Sequence, residues 1–341
     1  MRDVFRPALP AARPTGPTRP TGPTRESRLR RRAGAAVAAA AVLALTLTGC
    51  ATTTSAETPA ANGPTVETLY GKVTVPASPK RIVAIGYPEA TALADLGILP
   101  VGRTAYIPPL PAYDKAFADI PVVEDSNGKP DLEKIASLKP DLIIGDDFAD
   151  KTDKAAYAKL AAIAPTAIFE WKPAASNWTS EAASTATAVG RTPQLDKLKS
   201  AFEARAKTIS TTYADVLATH TIDMISGDET AWYLYSPDSS HGRVLAAAGA
   251  RFGASATQKD GYVEYSPERY DVIGGTDVLF VQGTDKASIA PITSNAVFAK
   301  SKAAVAGNVE TSDYFFSASY TMADALLADF EKALQTLQAR G

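Results

Sequence analysis

The chain is poor in the residues that build metal centres and disulfide frameworks. It has 341 residues, of which one is Cys and two are His. A thiolate zinc site, a cluster of histidine ligands and a disulfide scaffold each need more of these residues, so all three are excluded. Catalytic signatures are missing as well, because the sequence contains neither G-x-S-x-G nor a Walker A motif. An S-x-x-K match at Ser126 lacks its partner motifs, and we interpret it as chance. We therefore expect no catalytic residue and no resident metal or cofactor.

Basic and acidic residues are unevenly distributed. Residues 1–49 hold nine Arg and two acidic residues, a net charge of +7, whereas the whole chain has a net charge of −2. The remainder is therefore acidic, which disfavours nucleic-acid binding because phosphate backbones are repelled. The sequence contains neither internal repeats nor the evenly spaced short strands that are typical of a β-sandwich. This disfavours a surface scaffold or an adhesion protein.

The first fifty residues have the organisation of an export signal. A basic segment at residues 28–32 precedes sixteen residues drawn only from Ala, Gly, Val, Leu and Thr, residues 33–48. This length is short of the roughly 20 apolar residues that span a bilayer, but it suits the core of a signal peptide. The core ends in Leu47-Thr48-Gly49-Cys50, which resembles a bacterial lipobox. We predict that Cys50 is lipidated; a plain signal peptide or an uncleaved membrane anchor is the alternative.

This segmentation predicts where the protein acts. Residues 1–49 are interpreted as a lipoprotein signal peptide with a low-complexity extension rich in Pro and Thr. Residues 50–64 are small and polar and predict a flexible tether. The mature protein is expected to be exported and held by its lipid at the outer face of the cytoplasmic membrane.

Hydrophobic patterning from residue 65 onward predicts an α/β fold. Buried strands alternate with helices in two successive series, which favours mainly parallel sheets. Between the series lies the strongest helical pattern, residues 193–218, where apolar residues recur at steps of three and four. We predict two Rossmann-like α/β lobes, an N-terminal lobe (65–192) and a C-terminal lobe (219–341), joined by one long spine helix (193–218). A ligand cleft between the lobes would lie at the carboxyl ends of the strands.

Several segments carry a family resemblance. In order along the chain they are PKRIVA (79–84), LADLGILPVG (93–102), DLEKI (131–135), LKPDLII (138–144), IAPT (163–166) and YSPE (265–268). Together they resemble the ferric-siderophore and cobalamin substrate-binding proteins of ABC importers. The resemblance implies a monomer that captures a ferric siderophore and delivers it to an ABC permease dimer. Cobalamin or haem is the alternative ligand, and a lipid-anchored enzyme is a more distant alternative.

The resemblance also implies docking residues. One glutamate on each lobe reaches arginines of the permease in this family, and the matching positions are Glu133 and Glu268. Asp131 and Ser266 are predicted N-caps, which puts each glutamate at the second position of a helix. An alternative is that these glutamates only complement the helix dipole.

Aromatic and basic residues on loops after predicted strands are the candidate ligand contacts. They are Arg103, Tyr106, Trp171, Trp232, Tyr235, His241, Arg243, Tyr262, Tyr314 and Tyr320. Tyr87 and Phe148 also lie on loops after predicted strands. About half of such aromatics are expected to be packing residues instead. The run DDFAD at residues 146–150 is interpreted as a solvated acidic loop rather than a cation site.

Charge narrows the ligand class. Three catecholates on ferric iron leave a trianion, which would need several Lys and Arg, whereas three hydroxamates leave a neutral centre. Two candidate arginines and many rings favour a hydroxamate or mixed-type siderophore, because ring faces suit neutral or weakly cationic complexes. The siderophore would fill the iron shell, so no protein ligand to iron is expected.

Overall fold

The computed structural model describes residues 62–147, 152–171 and 177–340. The predictions for the signal peptide, for Cys50, for most of the tether and for Phe148 lie outside the described residues. The described residues belong to one compact unit. Across these three ranges, no helix has the length and apolar character needed to cross a membrane.

The N-terminal lobe contains a hairpin and a parallel sheet. Strands β1 (Thr65–Thr68) and β2 (Gly71–Thr74) pair antiparallel. The sheet has the order β4-β3-β5-β6, with β3 (Ile82–Ala84), β4 (Gly102–Arg103), β5 (Leu142–Asp146) and β6 (Thr166–Phe169) all parallel. Its helices are α1 (Tyr87–Asp95), α2 (Pro111–Phe117), α3 (Leu132–Ser137), α4 (Lys154–Ala161) and α5 (Trp178–Ala188).

The predicted spine helix is interrupted. Helix α6 (Thr192–Thr212) ends at Tyr213, where φ is −110° and ψ is 26°, and α7 (Ala214–Thr219) follows. The predicted spine over residues 193–218 is therefore helical except at Tyr213, where it divides into α6 and α7. Residues 208–212 are Thr, Ile, Ser, Thr and Thr, and the Ser210 and Thr211 hydroxyls both donate to the carbonyl of Lys207. Such side-chain bonds and β-branched residues weaken the end of a helix.

The C-terminal lobe has a mixed sheet. Its order is β11-β10-β7-β8-β9, with β7 (Ile222–Gly227), β8 (Trp232–Tyr235), β9 (Tyr262–Tyr265), β10 (Val278–Gln282) and β11 (Val309–Ser312). Strands β7, β10 and β11 are parallel. Strand β8 runs antiparallel to both of its neighbours, β7 and β9, because a short turn joins β7 directly to β8. The helices are α8 (Ser240–Ala247), a 3₁₀ helix (Pro267–Ile273), α9 (Ala290–Thr293), a second 3₁₀ helix (Phe298–Lys300), α10 (Lys302–Ala306) and α11 (Tyr320–Arg340).

The two sheets share a common order. In the first, β3 lies between β4 and β5, and β6 follows β5; in the second, β7 lies between β8 and β10, and β11 follows β10. Helix α3 leads into β5, and the 3₁₀ helix Pro267–Ile273 leads into β10. The two sheets therefore share the order of these four strands, although β4 is parallel to its neighbour and β8 is antiparallel. The loops after β3, β5 and β6 in the first sheet and after β7, β10 and β11 in the second lie at equivalent carboxyl edges.

The start of α11 connects the two lobes. The carboxylate of Asp95, at the end of α1, accepts hydrogen bonds from Thr321 N (3.0 Å) and Thr321 Oγ1 (2.6 Å). Tyr113 of α2 shares a 2.6 Å hydrogen bond with the hydroxyl of Ser319. Burial raises the pKa of Asp95, while the bonds from Thr321 oppose that rise. Asp95 thus caps the first turn of a 21-residue helix from the opposite lobe.

Candidate functional site

Three aromatic rings lie at the carboxyl edge of the first sheet. Tyr87 opens α1 directly after β3, Tyr106 lies on the loop after β4, and Trp171 follows β6. The ring of Tyr87 meets Tyr106 edge to face at 5.4 Å and Trp171 edge to face at 5.9 Å. Tyr87 and Trp171 are buried, while Tyr106 keeps part of its surface exposed. Tyr106 and Trp171 are predicted ligand contacts, and the structure places both rings against the ring of Tyr87.

This aromatic wall touches the C-terminal lobe at Phe316. The Tyr87 hydroxyl donates a 3.0 Å hydrogen bond to the Phe316 carbonyl. Phe316 lies in the segment between β11 and α11 and has a φ of 56°, in the left-handed region that a bulky residue rarely adopts. Strained backbone of this kind persists where its surroundings fix it, which here are the contacts between the lobes.

Asp313 and Tyr314 follow β11, in the segment that also contains Phe316. Burial raises the pKa of Tyr106, and the negative charge of Asp313 raises it further, so a side chain from each lobe lies within electrostatic reach of the other. Burial also raises the pKa of Asp313 itself, and its charge contributes to the raised pKa of Tyr314. Tyr106, Asp313 and Tyr314 are each partly exposed. They form the accessible part of the junction.

Carboxyl groups lie behind the aromatic wall, and the sequence did not identify them as site residues. Glu89, in the first turn of α1, is 1% exposed, and Asp146, the last residue of β5, is 6% exposed. A side chain on Gly86 would place its Cβ 2.0 Å from Asp146 Oδ2 and 2.4 Å from Glu89 Oε2, so both carboxyls close around that glycine. Burial raises the pKa of Glu89 well above its usual value, and Asp146 and Glu181 raise it further. The run of acidic residues that starts at Asp146 suggested a solvated loop. Asp146 itself is instead a buried residue of β5.

His241 occupies a second aromatic cluster, in the C-terminal lobe. It is fully buried, stacks on Phe315 at 4.6 Å and meets Tyr235 edge to face at 4.4 Å. The Phe316 amide donates to His241 Nδ1 at 3.1 Å, so the neutral ring carries its hydrogen on Nε2. Burial lowers the pKa of His241 to about 3. The Tyr235 hydroxyl is hydrogen-bonded to Ser226 at 2.8 Å. His241 and Tyr235 thus support the Phe316 peptide from the C-terminal lobe.

The two candidate arginines are bonded within their own loops. Arg103 donates from Nε to the Phe117 carbonyl (3.3 Å) and from Nη1 to the Thr104 carbonyl (3.0 Å). Arg243 forms an ion pair with Asp238 at 3.3 Å and also donates to its carbonyl. Both guanidinium groups therefore stabilise loop backbone, which reduces what they can offer to an anionic ligand.

Three further candidates pack within other groups of side chains. Trp232 is fully buried in the core of the C-terminal lobe, where it stacks between Tyr265 and Tyr270 at 4.8 Å and donates to the Ser266 carbonyl. Tyr262 lies on the edge strand β9 against Tyr233 and Tyr235. Tyr320 packs on Trp178 and Phe202, beside α6. The structure does not bring these three residues to the aromatic wall.

A separate cavity of about 360 Å³ lies beside α8. Pro237, Ala246, Phe252, Ala256 and Gln258 are among its lining residues. Phe252 forms a bridge to Ile222, the first residue of β7, so this cavity is at the amino edge of the sheet. Ligands of open α/β sheets bind at the carboxyl edge, and we therefore place the candidate site at the lobe junction.

The two predicted docking glutamates occupy equivalent positions. Glu133 is exposed at the second residue of α3, and the Asp131 side chain caps that helix through the Lys134 amide at 3.0 Å. Glu268 is exposed at the second residue of the 3₁₀ helix. Ser266 does not form the predicted side-chain cap; its hydroxyl is instead hydrogen-bonded to Glu268 and lowers the pKa of that carboxyl. Each glutamate begins the helix that leads into an equivalent strand, β5 or β10.

Similarity to known proteins agrees with this architecture. A probable siderophore-binding lipoprotein of Bacillus subtilis is 32% identical over 175 residues, covering 50% of this chain and 51% of that protein. An Fe(3+)-citrate-binding protein of the same organism is 27% identical over 251 residues, covering 71% of this chain and 76% of that protein. The chain thus spans about half the length of the first relative and three quarters of the second.

A solved structure shows the same fold over the described body. The siderophore periplasmic binding protein from the fuscachelin gene cluster of Thermobifida fusca superposes with a TM-score of 0.65 at 26% identity, covering 77% of this chain and 98% of that one. Among the described residues no group of three His, Cys, Asp or Glu could hold a metal ion. Residues 82–313 match the periplasmic binding protein family. This chain belongs to that family of two-lobed binding proteins.

Proposed function

We propose that this protein captures a ferric siderophore of the hydroxamate or mixed type between its lobes and delivers it to an ABC permease for iron uptake. The observation that carries this proposal is the lobe junction, where the Tyr87 hydroxyl donates to the Phe316 carbonyl of the opposite lobe and the rings of Tyr106 and Trp171 pack edge to face on Tyr87. A siderophore already fills the coordination shell of ferric iron, so its binding protein needs aromatic faces and hydrogen bonds rather than metal ligands. The two Bacillus relatives, whose names refer to a siderophore and to ferric citrate, support iron chelates as the ligand class.

The charge of the junction favours a neutral or cationic complex. Asp146 and Asp313 lie at the carboxyl edges of the two sheets, while Arg103 and Arg243 are bonded elsewhere. A tricatecholate or citrate complex of ferric iron is anionic and would be repelled by these carboxylates. A trihydroxamate complex has a neutral centre and avoids that cost.

Tryptophan fluorescence tests the proposal. We expect a ferric trihydroxamate added to the purified protein to quench emission saturably, because Trp171 lies in the aromatic wall. Trp171→Phe should lose most of the quenching while still binding ligand in a calorimetric titration. The matched variant Trp232→Phe removes a tryptophan from the core and should keep the quenching. Saturable binding of haem or cobalamin with no response to any ferric siderophore would change the ligand class, and no binding in the whole panel would reject the function.

The permease is proposed to dock on Glu133 and Glu268. A helix that leads into a parallel strand starts near the carboxyl edge of the sheet, so both glutamates are on the side of the molecule where the lobes meet. Each side chain is exposed. Their equivalence in the repeated arrangement, one per lobe, favours recognition by two equivalent subunits of a permease dimer. A monomeric binding protein suffices for such docking.

We also propose that Cys50 carries a lipid that holds the protein at the outer face of the cytoplasmic membrane. The support is the lipobox together with the tether that follows it. Cys50→Ser should shift the protein from the membrane fraction to the soluble fraction, since stable attachment takes two acyl chains and the variant has none. Ser55→Ala, in the tether, is the control and should stay with the membrane. Equally firm attachment of the Cys50→Ser variant would point to an uncleaved helix instead of a lipid.

A further inference from the structure

The segment between β11 and α11, residues 313–319, is the part of the C-terminal lobe that meets the aromatic wall. Its Phe316 carbonyl accepts the hydrogen bond from the Tyr87 hydroxyl at 3.0 Å. Its own lobe supports the same residue through His241 Nδ1, which accepts the Phe316 amide hydrogen at 3.1 Å. The far end of the segment, where α11 begins, is held by side chains of the N-terminal lobe.

A chain of hydrogen bonds runs from the start of α11 into the N-terminal lobe. The Met322 amide donates to the Ser319 hydroxyl at 3.3 Å, and that hydroxyl lies 2.6 Å from the Tyr113 hydroxyl. Tyr113 donates its single hydrogen to Asp95 Oδ1 at 3.1 Å, so the bond between the two hydroxyls is donated by Ser319. The Asp95 carboxylate also accepts the amide and the hydroxyl of Thr321. Each hydroxyl of the chain therefore donates one hydrogen bond.

Burial and helix geometry make these contacts specific. Ser319 is completely buried and Tyr113 is 2% exposed, so removal of one member leaves a polar group that water reaches poorly. Tyr87 is the first residue of α1 and Asp95 is the last, which puts them about 12 Å apart along the axis. One helix of the N-terminal lobe thus contacts the segment in its middle and the helix α11 directly after it.

We infer that Asp95 and Tyr113 are positioning residues for ligand binding, because they hold the end of segment 313–319 from the opposite lobe and so fix the shape of the junction before a ligand enters. This inference rests on the proposed function and assigns residues outside the aromatic wall to it. A segment that is already held in its binding conformation has no ordering cost to offset. Affinity falls in proportion to the fraction of molecules in which the segment is correctly placed.

Two variants and a matched control test this role by calorimetric titration with ferrioxamine B and ferrichrome, both ferric trihydroxamates. Tyr113→Phe keeps the ring but removes the link between Asp95 and the start of α11, and Asp95→Ala removes the acceptor itself. Each should bind at least about tenfold more weakly, through faster dissociation. Asp153→Ala is the control, because Asp153 caps α4 through the Ala156 amide at 2.7 Å within one lobe. It should lose thermal stability and bind as the parent does.

A double-mutant cycle separates positioning from a general loss of stability. Tyr87→Phe removes the other hydrogen bond from α1 to the segment, so the Tyr87→Phe, Tyr113→Phe double variant should bind no more than about threefold more weakly than the weaker single variant. The Phe316 amide should exchange faster in Tyr113→Phe than in the parent. Independent effects in the cycle, unchanged affinity of Tyr113→Phe, or an equal loss in Asp153→Ala would overturn the positioning role and leave the proposed function standing. A parent protein that binds neither trihydroxamate would overturn the proposed function, and the positioning role with it.

Discussion

Replacing Glu133 and Glu268 together by alanine is expected to reduce siderophore import to the background level while leaving the affinity for the ligand in solution unchanged. Both side chains are exposed and neither belongs to the aromatic wall, so the cleft should not change. Each glutamate begins a helix that leads into an equivalent strand, which puts one negative charge on each lobe. In the proposed complex these two charges contact the permease. Loss of one partner from a hydrogen-bonded interfacial charge pair costs about 2 to 5 kcal/mol. Each single variant should therefore lose at least about tenfold in import.

The control for this experiment is a double variant that loses the same number of negative charges at other exposed positions. Glu67, on β1, and Glu203, on α6, are exposed and form surface ion pairs with Lys72 and Lys199. Such surface pairs contribute little to stability, so Glu67→Ala combined with Glu203→Ala should fold and import normally. The measurements are uptake of radioactive iron by cells and calorimetric titration of the purified proteins. Unimpaired uptake by the Glu133 and Glu268 double variant would remove the docking assignment. Weaker ligand binding would instead show that these residues support the cleft.

Much of the fold was predictable because it follows from local patterns. Apolar runs such as those of β5 and β6 predict buried strands by themselves, and the Asp131 cap was recognised from its position before α3. Equivalent patterns in both halves led to the two-lobe architecture, which is the fold of the family. The break at Tyr213 was missed because the apolar spacing continues through it, while the competing hydroxyl bonds depend on rotamers that no pattern reports.

The site was only partly predictable, because it depends on contacts between distant segments. Alternation along β8 puts Trp232 and Tyr233 on opposite faces of the sheet, so at most one of them could face the cleft. Both are buried, since β8 is paired on either side by β7 and β9 and is covered on its two faces. Asp146 resembled a loop residue because more acidic residues follow it, although it ends a central strand. The left-handed conformation of Phe316 has no sequence signal, because phenylalanine rarely adopts it.

Acidification is expected to destabilise the protein through His241. In the folded protein burial lowers the pKa of His241 to about 3, whereas an exposed histidine in the unfolded chain titrates near 6.5. Below pH 6.5 the unfolded chain therefore takes up a proton that the folded protein does not bind. The free energy of unfolding should fall by about 1.4 kcal/mol for each pH unit between 6.5 and 3 from this group alone. Asp223, whose pKa burial raises to about 6, has the opposite effect, so a comparison with a variant is needed.

His241→Asn isolates the contribution of the histidine. The Asn amide oxygen can accept the Phe316 amide hydrogen in place of Nδ1, but it does not titrate. At pH 7 the variant should be less stable than the parent by roughly 2 to 4 kcal/mol, because the stack on Phe315 is lost. At pH 4.5 this difference should shrink by about 2.7 kcal/mol, since only the parent then carries the protonation penalty. Urea unfolding followed by tryptophan fluorescence at both pH values measures the change, and His220→Asn, at a partly exposed position after α7, is the control.

Protonation of His241 is expected to weaken the contact between the two lobes at the junction. A proton on Nδ1 would remove the acceptor for the Phe316 amide hydrogen, and the carbonyl of the same residue accepts the hydrogen bond from the Tyr87 hydroxyl of the other lobe. Loss of that support would free a residue whose left-handed conformation is otherwise unfavourable. We therefore expect acid to weaken the junction before the sheets unfold, which hydrogen exchange of the Phe316 amide would detect as loss of protection in the parent and not in His241→Asn. A stability difference between parent and variant that does not change from pH 7 to pH 4.5 would show that His241 is not the source of acid sensitivity.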